Sequence, residues 1–177
     1  MKALLRNNAG MTVAEVIVAL GIITFGLLGL IAAMPLSTSM IGQSNLRTTA
    51  TFLAQQHVER IKNTTWTALP ATDTLGGAGS NGTAAVAQWP DENYGAITFP
   101  GAGNCAANDQ SGSCRFRRQV RIIDCSVVSC SGIPVGTANA NTLRQVTVTV
   151  FFRPISGAGQ SQNDEESVQL GTLMARR

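Results

Sequence analysis

The residue that most needs a chemical explanation is Glu15, a carboxylate at the start of a long apolar run. The 19 residues that follow it, 16–34, carry no charge, and as an α-helix they would measure about 28 Å, enough to cross a hydrocarbon core. A carboxylate at the centre of a bilayer costs about 2.5–3.5 kcal/mol, and less near the interface. Cleavage after Gly10 would supply a partner, because it frees an α-amino group on Met11, four residues before Glu15 and on the same helical face.

The order of the segments argues against an ordinary secretory signal. Residues 1–10 are short and cationic, with Lys2 and Arg6, and they end in a small residue. A secretory signal carries its small-residue cleavage site after the apolar region, whereas here the small residue precedes it. We therefore expect an anchor that survives processing and keeps its N-terminus in the cytoplasm. A plain single-pass anchor is the alternative, and it leaves Glu15 unexplained.

The segment around this site resembles the prepilin cleavage/methylation motif, namely a glycine, a hydrophobic first mature residue and a glutamate fifth after the cut, leading an apolar helix. Here these residues are Gly10, Met11 and Glu15. Met11 stands where phenylalanine is usual, and Val13-Ala14 stand where Leu-Ile is usual. The resemblance implies cleavage by a prepilin peptidase and N-methylation of Met11. It also implies that the subunit first lies in membrane lipid. An inner-membrane assembly platform would then polymerise it with other pilin subunits.

Two further segments are similar to particular members of this family. Residues 24–30 resemble a Gly-Leu-Leu-Gly-Leu segment of minor pilins of the PilV type, and residues 168–173 resemble the last strand of these proteins and of I-type pseudopilins. The leading expectation is a minor pilin of a type IV pilus, with a role in pilus assembly or initiation, adhesion or motility. A pseudopilin of a type II secretion system is the alternative within the family. A membrane-anchored, non-polymerising surface-binding module is the alternative of another class.

The apolar run continues into an amphipathic segment. Residues 37–63 carry apolar side chains at spacings of three and four, which is one stripe of a helix. Together the two segments predict a helix of roughly 50 residues, ending near residues 64–66. His57, the single histidine, lies on this stripe and is predicted to be a satisfied, half-buried imidazole rather than a catalytic one. The stripe comprises Leu46, Ala50, Leu53, Ala54, His57 and Ile61.

Three later segments alternate apolar and polar residues as strands do, at 115–124, 145–153 and 166–174. The last two predict an antiparallel hairpin with one face on the helix. The predicted fold class is α+β and pilin-like, with a long N-terminal helix, half of it transmembrane, packed on a loop-rich, disulfide-braced antiparallel sheet of three or four strands.

These patterns and the resemblance to prepilins together imply the domain organisation. A cytoplasmic leader covers residues 1–10, and a transmembrane and filament-core helix covers 11–36. The amphipathic half of that helix covers 37–66. The exported sheet domain covers 67–177, including a long loop at 70–114.

Four cysteines allow three disulfide pairings, and the sequence does not choose between them. The simplest pairing closes two short loops, Cys105–Cys114 and Cys125–Cys130. A zinc site is the rival, but spacings of nine and five fit it poorly and no histidine is near. We therefore expect disulfides, no metal and an oxidising compartment. The chain is accordingly expected in the cytoplasmic (inner) membrane with its C-terminal domain exported, and in a filament or the periplasm after assembly.

Two charge clusters suggest partners. Arg115, Arg117 and Arg121 are predicted to share one strand face, with Arg118 on the other; the three could contact DNA phosphates, a neighbouring subunit or water. Without residues 1–10 the chain has 11 basic against 10 acidic side chains, so nucleic acid is not an expected partner. The acidic run at 164–166 is predicted to be a solvated turn.

No catalytic set is visible in the sequence. A nucleophile needs a positioned base and a third group that orients the base. With the single histidine on a packing stripe and the cysteines expected in disulfides, neither an enzyme activity nor a cofactor is expected.

Overall fold

The computed structural model describes residues 11–66, 75, 81–97, 112–136, 142–154 and 164–176. One helix and three strands make up its regular structure, and they confirm the predicted α+β class with a long N-terminal helix and a small antiparallel sheet. In chain order the elements are α1 (Val13–Lys62), a 3-10 turn (Gly112–Arg115), β1 (Phe116–Asp124), β2 (Leu143–Phe152) and β3 (Glu166–Ala175).

Helix α1 runs unbroken for 50 residues. Thr12 caps its start and Asn63 its end, where the Asn63 N–H donates to the carbonyl of Glu59 at 3.2 Å. Pro35 lies inside the helix without ending it, although it has no N–H to donate to the preceding turn. Thr38 donates its hydroxyl to the carbonyl of Pro35 at 3.0 Å, so the polar side chain beside the proline is satisfied within the helix.

The core lies between the second half of α1 and the sheet. Leu46 is partly buried, and the other five members of the predicted stripe are buried, together with Val58, which the stripe did not include. This face of α1 packs on β2 and β3. Burying the leucine, isoleucine and valine side chains of this face contributes about 1.5–3 kcal/mol each. The largest fully buried side chains include Phe152, Leu53, Ile61, Ile122, Val120, Val146, Val148 and Val150.

The sheet has the order β1-β2-β3, and both pairs are antiparallel. Its register aligns Val120, Val148 and Leu170 across the three strands. Burial alternates strictly along β1 and β2, which is the pattern of a sheet with one face on a core and the other in water. The last two strands pair as predicted.

The long loop predicted at 70–114 lies partly outside the described residues. Its described central part, 81–97, runs beside β1 and forms isolated bridges from Asn81 to Ile123 and from Glu92 to Arg118. This part of the loop therefore belongs to the sheet domain as a cover for one edge.

Two phenylalanines offer a matched test of this core. Phe152 is fully buried, whereas Phe52 is 60% exposed on α1. We expect Phe152→Ala to lower the free energy of unfolding by about 3–5 kcal/mol, because it removes apolar contacts and leaves a cavity. Phe52→Ala should change it by no more than about 0.5 kcal/mol. Guanidinium unfolding of the full chain in detergent, followed by tryptophan fluorescence, measures both; equal effects would contradict the described packing.

Candidate functional site

The predicted processing site lies at the start of α1. Gly10 lies outside the described residues, and Met11 is 72% exposed just before the helix. Thr12 has an extended backbone (φ −75°, ψ 149°), and its side-chain oxygen accepts a hydrogen bond from the Glu15 N–H at 3.3 Å. Glu15 itself is exposed in the first turn.

Glu15 therefore has a local structural setting that sequence reasoning missed. Thr12 and Glu15 have the Thr-x-x-Glu spacing of a capping box, a signal that could have been found in the sequence. A carboxylate in the first turn also interacts favourably with the positive end of the helix dipole. Because Met11 and Thr12 precede the helix, the helical spacing expected between Met11 and Glu15 is absent, and a pair between the Met11 amine and Glu15 would form across the cap.

The first half of α1 is exposed and apolar. Its large hydrophobic side chains between Met11 and Met34 are 41–79% exposed. Thr24 donates its hydroxyl to the carbonyl of Leu20 at 2.7 Å, so this polar group needs no water. Among the described residues α1 is the one helix long and apolar enough to cross a membrane. Contiguous exposed apolar surface of this size marks contact with a membrane or with protein.

The arginines of β1 point to both faces of the sheet. Arg117 donates two hydrogen bonds to Glu165, at 3.0 and 2.6 Å. Arg121 donates to the Asp91 carboxylate at 2.8 Å. Arg118 is buried on the opposite face and pairs with Glu92.

Arg115 does not lie on the predicted strand face. It belongs to the 3-10 turn before β1, and its Nη1 is buried without a hydrogen-bond partner among the described residues. The turn explains the difference, because strand alternation starts only at Phe116. The predicted stripe of three arginines is therefore reduced to Arg117 and Arg121, and both are already paired.

Two residues of the acidic run at 164–166, Glu165 and Glu166, also form hydrogen bonds with arginines. The hydrogen bond from Arg117 lowers the pKa of Glu165, which also accepts a hydrogen bond from the Tyr94 hydroxyl at 2.7 Å. Glu166 accepts one from Arg47 of α1 at 3.0 Å. The expectation of a solvated turn is wrong for Glu166, because it is the first residue of β3. Glu165 is exposed as expected, but its partners come from distant parts of the chain.

His57 is more buried than predicted. Its side chain is 5% exposed and packs edge-on against Trp89, with ring centroids 5.1 Å apart. Its Nε2 has no hydrogen-bond partner among the described residues. Burial, with added repulsion from Arg118 and Arg60, lowers the pKa of His57 to about 4. The imidazole is therefore neutral at pH 7, and it is not the satisfied group that was predicted.

Three of the four cysteines lie in the described residues, and all three are disulfide-bonded. Cys125 and Cys130 form a disulfide, with Cα atoms 5.2 Å apart, as the simplest pairing predicts. Cys114 is also disulfide-bonded, while Cys105 lies outside the described residues. Within the described ranges no three His, Cys, Asp or Glu side chains cluster in a way that could hold a metal ion.

Sequence reasoning also missed a buried charge at the far end of α1. Arg144 is 4% exposed, and its guanidinium stacks over the ring of Trp66 at 4.1 Å. The Oδ2 atom of Asp124 lies 3.9 Å from Nε of Arg144. No local pattern signals this contact, because Trp66 and Arg144 are far apart in the chain.

Searches of protein-family models, curated proteins and solved structures find no match to this chain.

The His57 environment predicts acid sensitivity. The folded pKa of about 4 lies below the ordinary value of 6.5, so the unfolded chain binds the proton first. The stabilising contribution is complete above pH 6.5 and is lost as the pH falls towards 4, by about 2 kcal/mol. The free energy of unfolding of the full chain in detergent, measured at several pH values between 7 and 4.5, tests this loss of stability.

His57→Gln is the control, because glutamine does not titrate. It should flatten the dependence of the free energy of unfolding on pH in this window. An unchanged slope in the variant would assign the acid sensitivity to other groups.

Proposed function

We propose that this chain is a minor pilin of a type IV pilus, made as a precursor that is cleaved after Gly10 and polymerised through α1. The observation that carries the proposal is the form of α1. Its apolar first half is exposed and starts with a capped turn bearing Glu15. The same helix continues without a break into a half that is packed on a sheet.

In this proposal the apolar half of α1 occupies two environments in succession, first the membrane and then the filament. Before assembly, the exposed apolar half is matched to lipid, because every backbone group of a helix is satisfied internally. The domain packed on the second half would then lie outside the cytoplasmic membrane, which agrees with the Cys125–Cys130 disulfide. In the filament the same apolar surface would be covered by the helices of neighbouring pilin subunits.

Glu15 supplies the specific element of this proposal. Hydrolysis of the Gly10–Met11 peptide bond by a prepilin peptidase leaves a protonated amine on Met11. In an apolar surrounding, that amine and the Glu15 carboxylate gain by pairing, since an unpaired charge there is costly. Pairing with the amine of a neighbouring subunit would set the axial register in the filament.

The paired arginines of β1 support a role without nucleic acid. Arg117 and Arg121 are matched by Glu165 and Asp91, which leaves little free positive charge on the outer face of the sheet for phosphates. The proposal includes no catalytic activity, metal or cofactor. Its partners are the peptidase, the assembly platform, membrane lipid and other subunits.

The experiment that tests this function is intact-mass analysis and N-terminal sequencing of the chain purified from membranes of its host. We expect a chain that starts at Met11 and carries one added methyl group on its amine. A chain that still starts at Met1, or is cut after the apolar run, would overturn the proposal. Probing the sheared filament fraction then distinguishes a pilin from an unpolymerised module, and loss of exoprotein secretion on deletion would identify a pseudopilin.

Replacing Glu15 tests its role in assembly. Glu15→Ala should leave cleavage intact and reduce the amount in the filament fraction at least about tenfold, because an unpaired amine is then buried among apolar helices. The cap survives this change, since Thr12 bonds the backbone N–H of Glu15 and not its side chain.

Glu59→Ala is the matched control. Glu59 is an exposed carboxylate of the same helix, paired with Lys62 at 2.7 Å, and such pairs contribute little to stability. Its loss should leave the filament fraction unchanged. Equal incorporation of the two variants would show that the charge of Glu15 is not used in assembly.

A further inference from the structure

A small cavity, the His57 cavity, lies between α1 and the covering loop formed by residues 81–97. Its volume is about 190 Å³, which leaves room for several water molecules or a small ligand. Trp89 forms an aromatic wall, and polar side chains form most of the rest. Because of these polar groups, the cavity suits water or a polar ligand rather than an apolar one. The lining residues are His57 and Arg60 of α1 and Gln88, Trp89, Pro90 and Glu92 of the loop.

Trp89 holds the two basic side chains of this cavity in place. Its ring is 8% exposed and lies edge-on to the His57 imidazole, with centroids 5.1 Å apart. The guanidinium carbon of Arg60 lies 5.8 Å from the centroid of the same ring. Trp89 is itself fixed by a hydrogen bond from its backbone N–H to the carbonyl of Val86 at 2.8 Å. An imidazole and a guanidinium are therefore held at the same cavity.

The carboxylates near the cavity are already paired with other arginines. Glu92 lines the cavity, but its carboxylate pairs with the buried guanidinium of Arg118. Its neighbour Asp91 accepts a hydrogen bond from Arg121 at 2.8 Å. Within the described ranges no carboxylate or other acceptor pairs with Arg60, whose side chain contacts the Trp89 ring. The cavity therefore has one positive charge, that of Arg60, in excess.

His57 adds a polar group without a partner. Its side chain is 5% exposed, and its Nε2 has no hydrogen-bond partner in the part of the chain that the structure describes. The charged groups around it are Arg60 of α1, Arg118 of β1 and Glu92 of the covering loop. Burial and then the two arginines lower the pKa of His57 to about 4. At pH 7 the imidazole is therefore neutral, with one N–H to donate, in positive surroundings.

The charge balance of the cavity favours a ligand with one negative charge. Such a ligand balances Arg60, whereas the Glu92 carboxylate would repel a dianion. A carboxylate fits this place, because its two oxygens match the planar fork of a guanidinium and still accept from a further N–H. A metal cation does not fit, because Arg60 and Arg118 repel positive charge at His57.

We propose that the His57 cavity binds a monocarboxylate, with Arg60 as the charged donor and the imidazole N–H of His57 as the second donor. Gln88, exposed at the cavity, offers a side-chain amide as a third. The carboxylate belongs to a small free acid or to the C-terminus of another polypeptide, since both present the same group. Once bound, it favours the protonated imidazole, so the affinity increases as the pH falls from 7 towards 5.

The single histidine of the chain makes the test direct, because one labelled histidine gives one imidazole signal. The full chain, in nonionic detergent micelles at constant ionic strength, is titrated with N-acetylglycine and followed by NMR. We expect a saturable shift of the His57 signal at pH 7. Saturating ligand should raise the pKa of His57 by at least about one unit. The ligand stays ionised over this range, because an α-carboxyl group titrates at about 3.3–3.7.

N-acetylglycinamide is the matched neutral ligand, and it should leave the His57 signal unchanged. An equal shift by the amide would overturn the proposal, since the carboxylate would then not be recognised. A shift by N-acetylglycine that does not saturate, or an unchanged pKa of His57, would overturn it as well. The cavity would in that case hold water only.

Two variants of α1 with the same change of charge test the role of Arg60. Arg60→Gln should weaken binding of N-acetylglycine at least about tenfold, because it removes a hydrogen bond between two charged groups. Arg60 is exposed, so the fold should survive this change. Lys62→Gln removes a charge two residues later, on another face of the helix, where Lys62 pairs with Glu59. It should bind like the unmodified chain, and equal weakening by both variants would show nonspecific attraction instead of a site.

Acetate and acetyl-Gly-Gly-Gly distinguish the two sources of the carboxylate. Binding of the peptide at least about tenfold tighter than acetate would assign the site to a polypeptide C-terminus, since the added backbone then makes contacts of its own. Equal or weaker binding of the peptide would assign it to a small free acid. If neither ligand binds, the proposal fails. Because no readout depends on cleavage at Gly10 or on a filament, such a failure is distinguishable from failure of the proposed pilin function.

Discussion

The packing of the second half of α1 on the inner face of the sheet is the contact on which the rest of the structure depends. Ala50 and Ala54 are fully buried, and their small side chains let the helix approach the strands closely. Because α1 is continuous from Val13 to Lys62, this contact also fixes where its exposed apolar half lies relative to the sheet. Helix α1 therefore has two parts with different surroundings. Its first half exposes an apolar surface suited to lipid or to neighbouring helices, and its second half belongs to the hydrophobic core of the sheet domain.

Strand alternation distributes the charges of the domain around this core. Arg117 and Arg118 are adjacent, yet one pairs on the outer face and the other is buried on the inner face. Glu165 and Glu166 are adjacent as well, and they reach the outer face and the helix respectively. Successive side chains of a strand point to opposite faces, so a short acidic run ties β1 and α1 to the start of β3. The charged side chains described here therefore mainly form ion pairs between distant segments of the same chain.

Much of the fold follows from local patterns in the sequence. The apolar run and the stripe with spacings of three and four predict α1, and strict alternation predicts the three strands and their buried faces. These signals are readable because side-chain direction repeats with the period of each element. The start of α1 is local too, since the Thr12–Glu15 cap spans only three residues. The proposed processing site belongs to this part of the chain and depends on the sequence alone.

What the sequence by itself determined is the type, approximate extent and buried face of α1 and of the three strands, together with the apolar half of α1 that carries the functional proposal. The tertiary structure decided which charges are paired and that His57 is buried beside Trp89. The physical reason is separation along the chain. Glu166 meets Gln43 across 123 residues, and Arg117 meets Glu165 across 48. No periodicity encodes such contacts, because they arise only when packing brings the elements together.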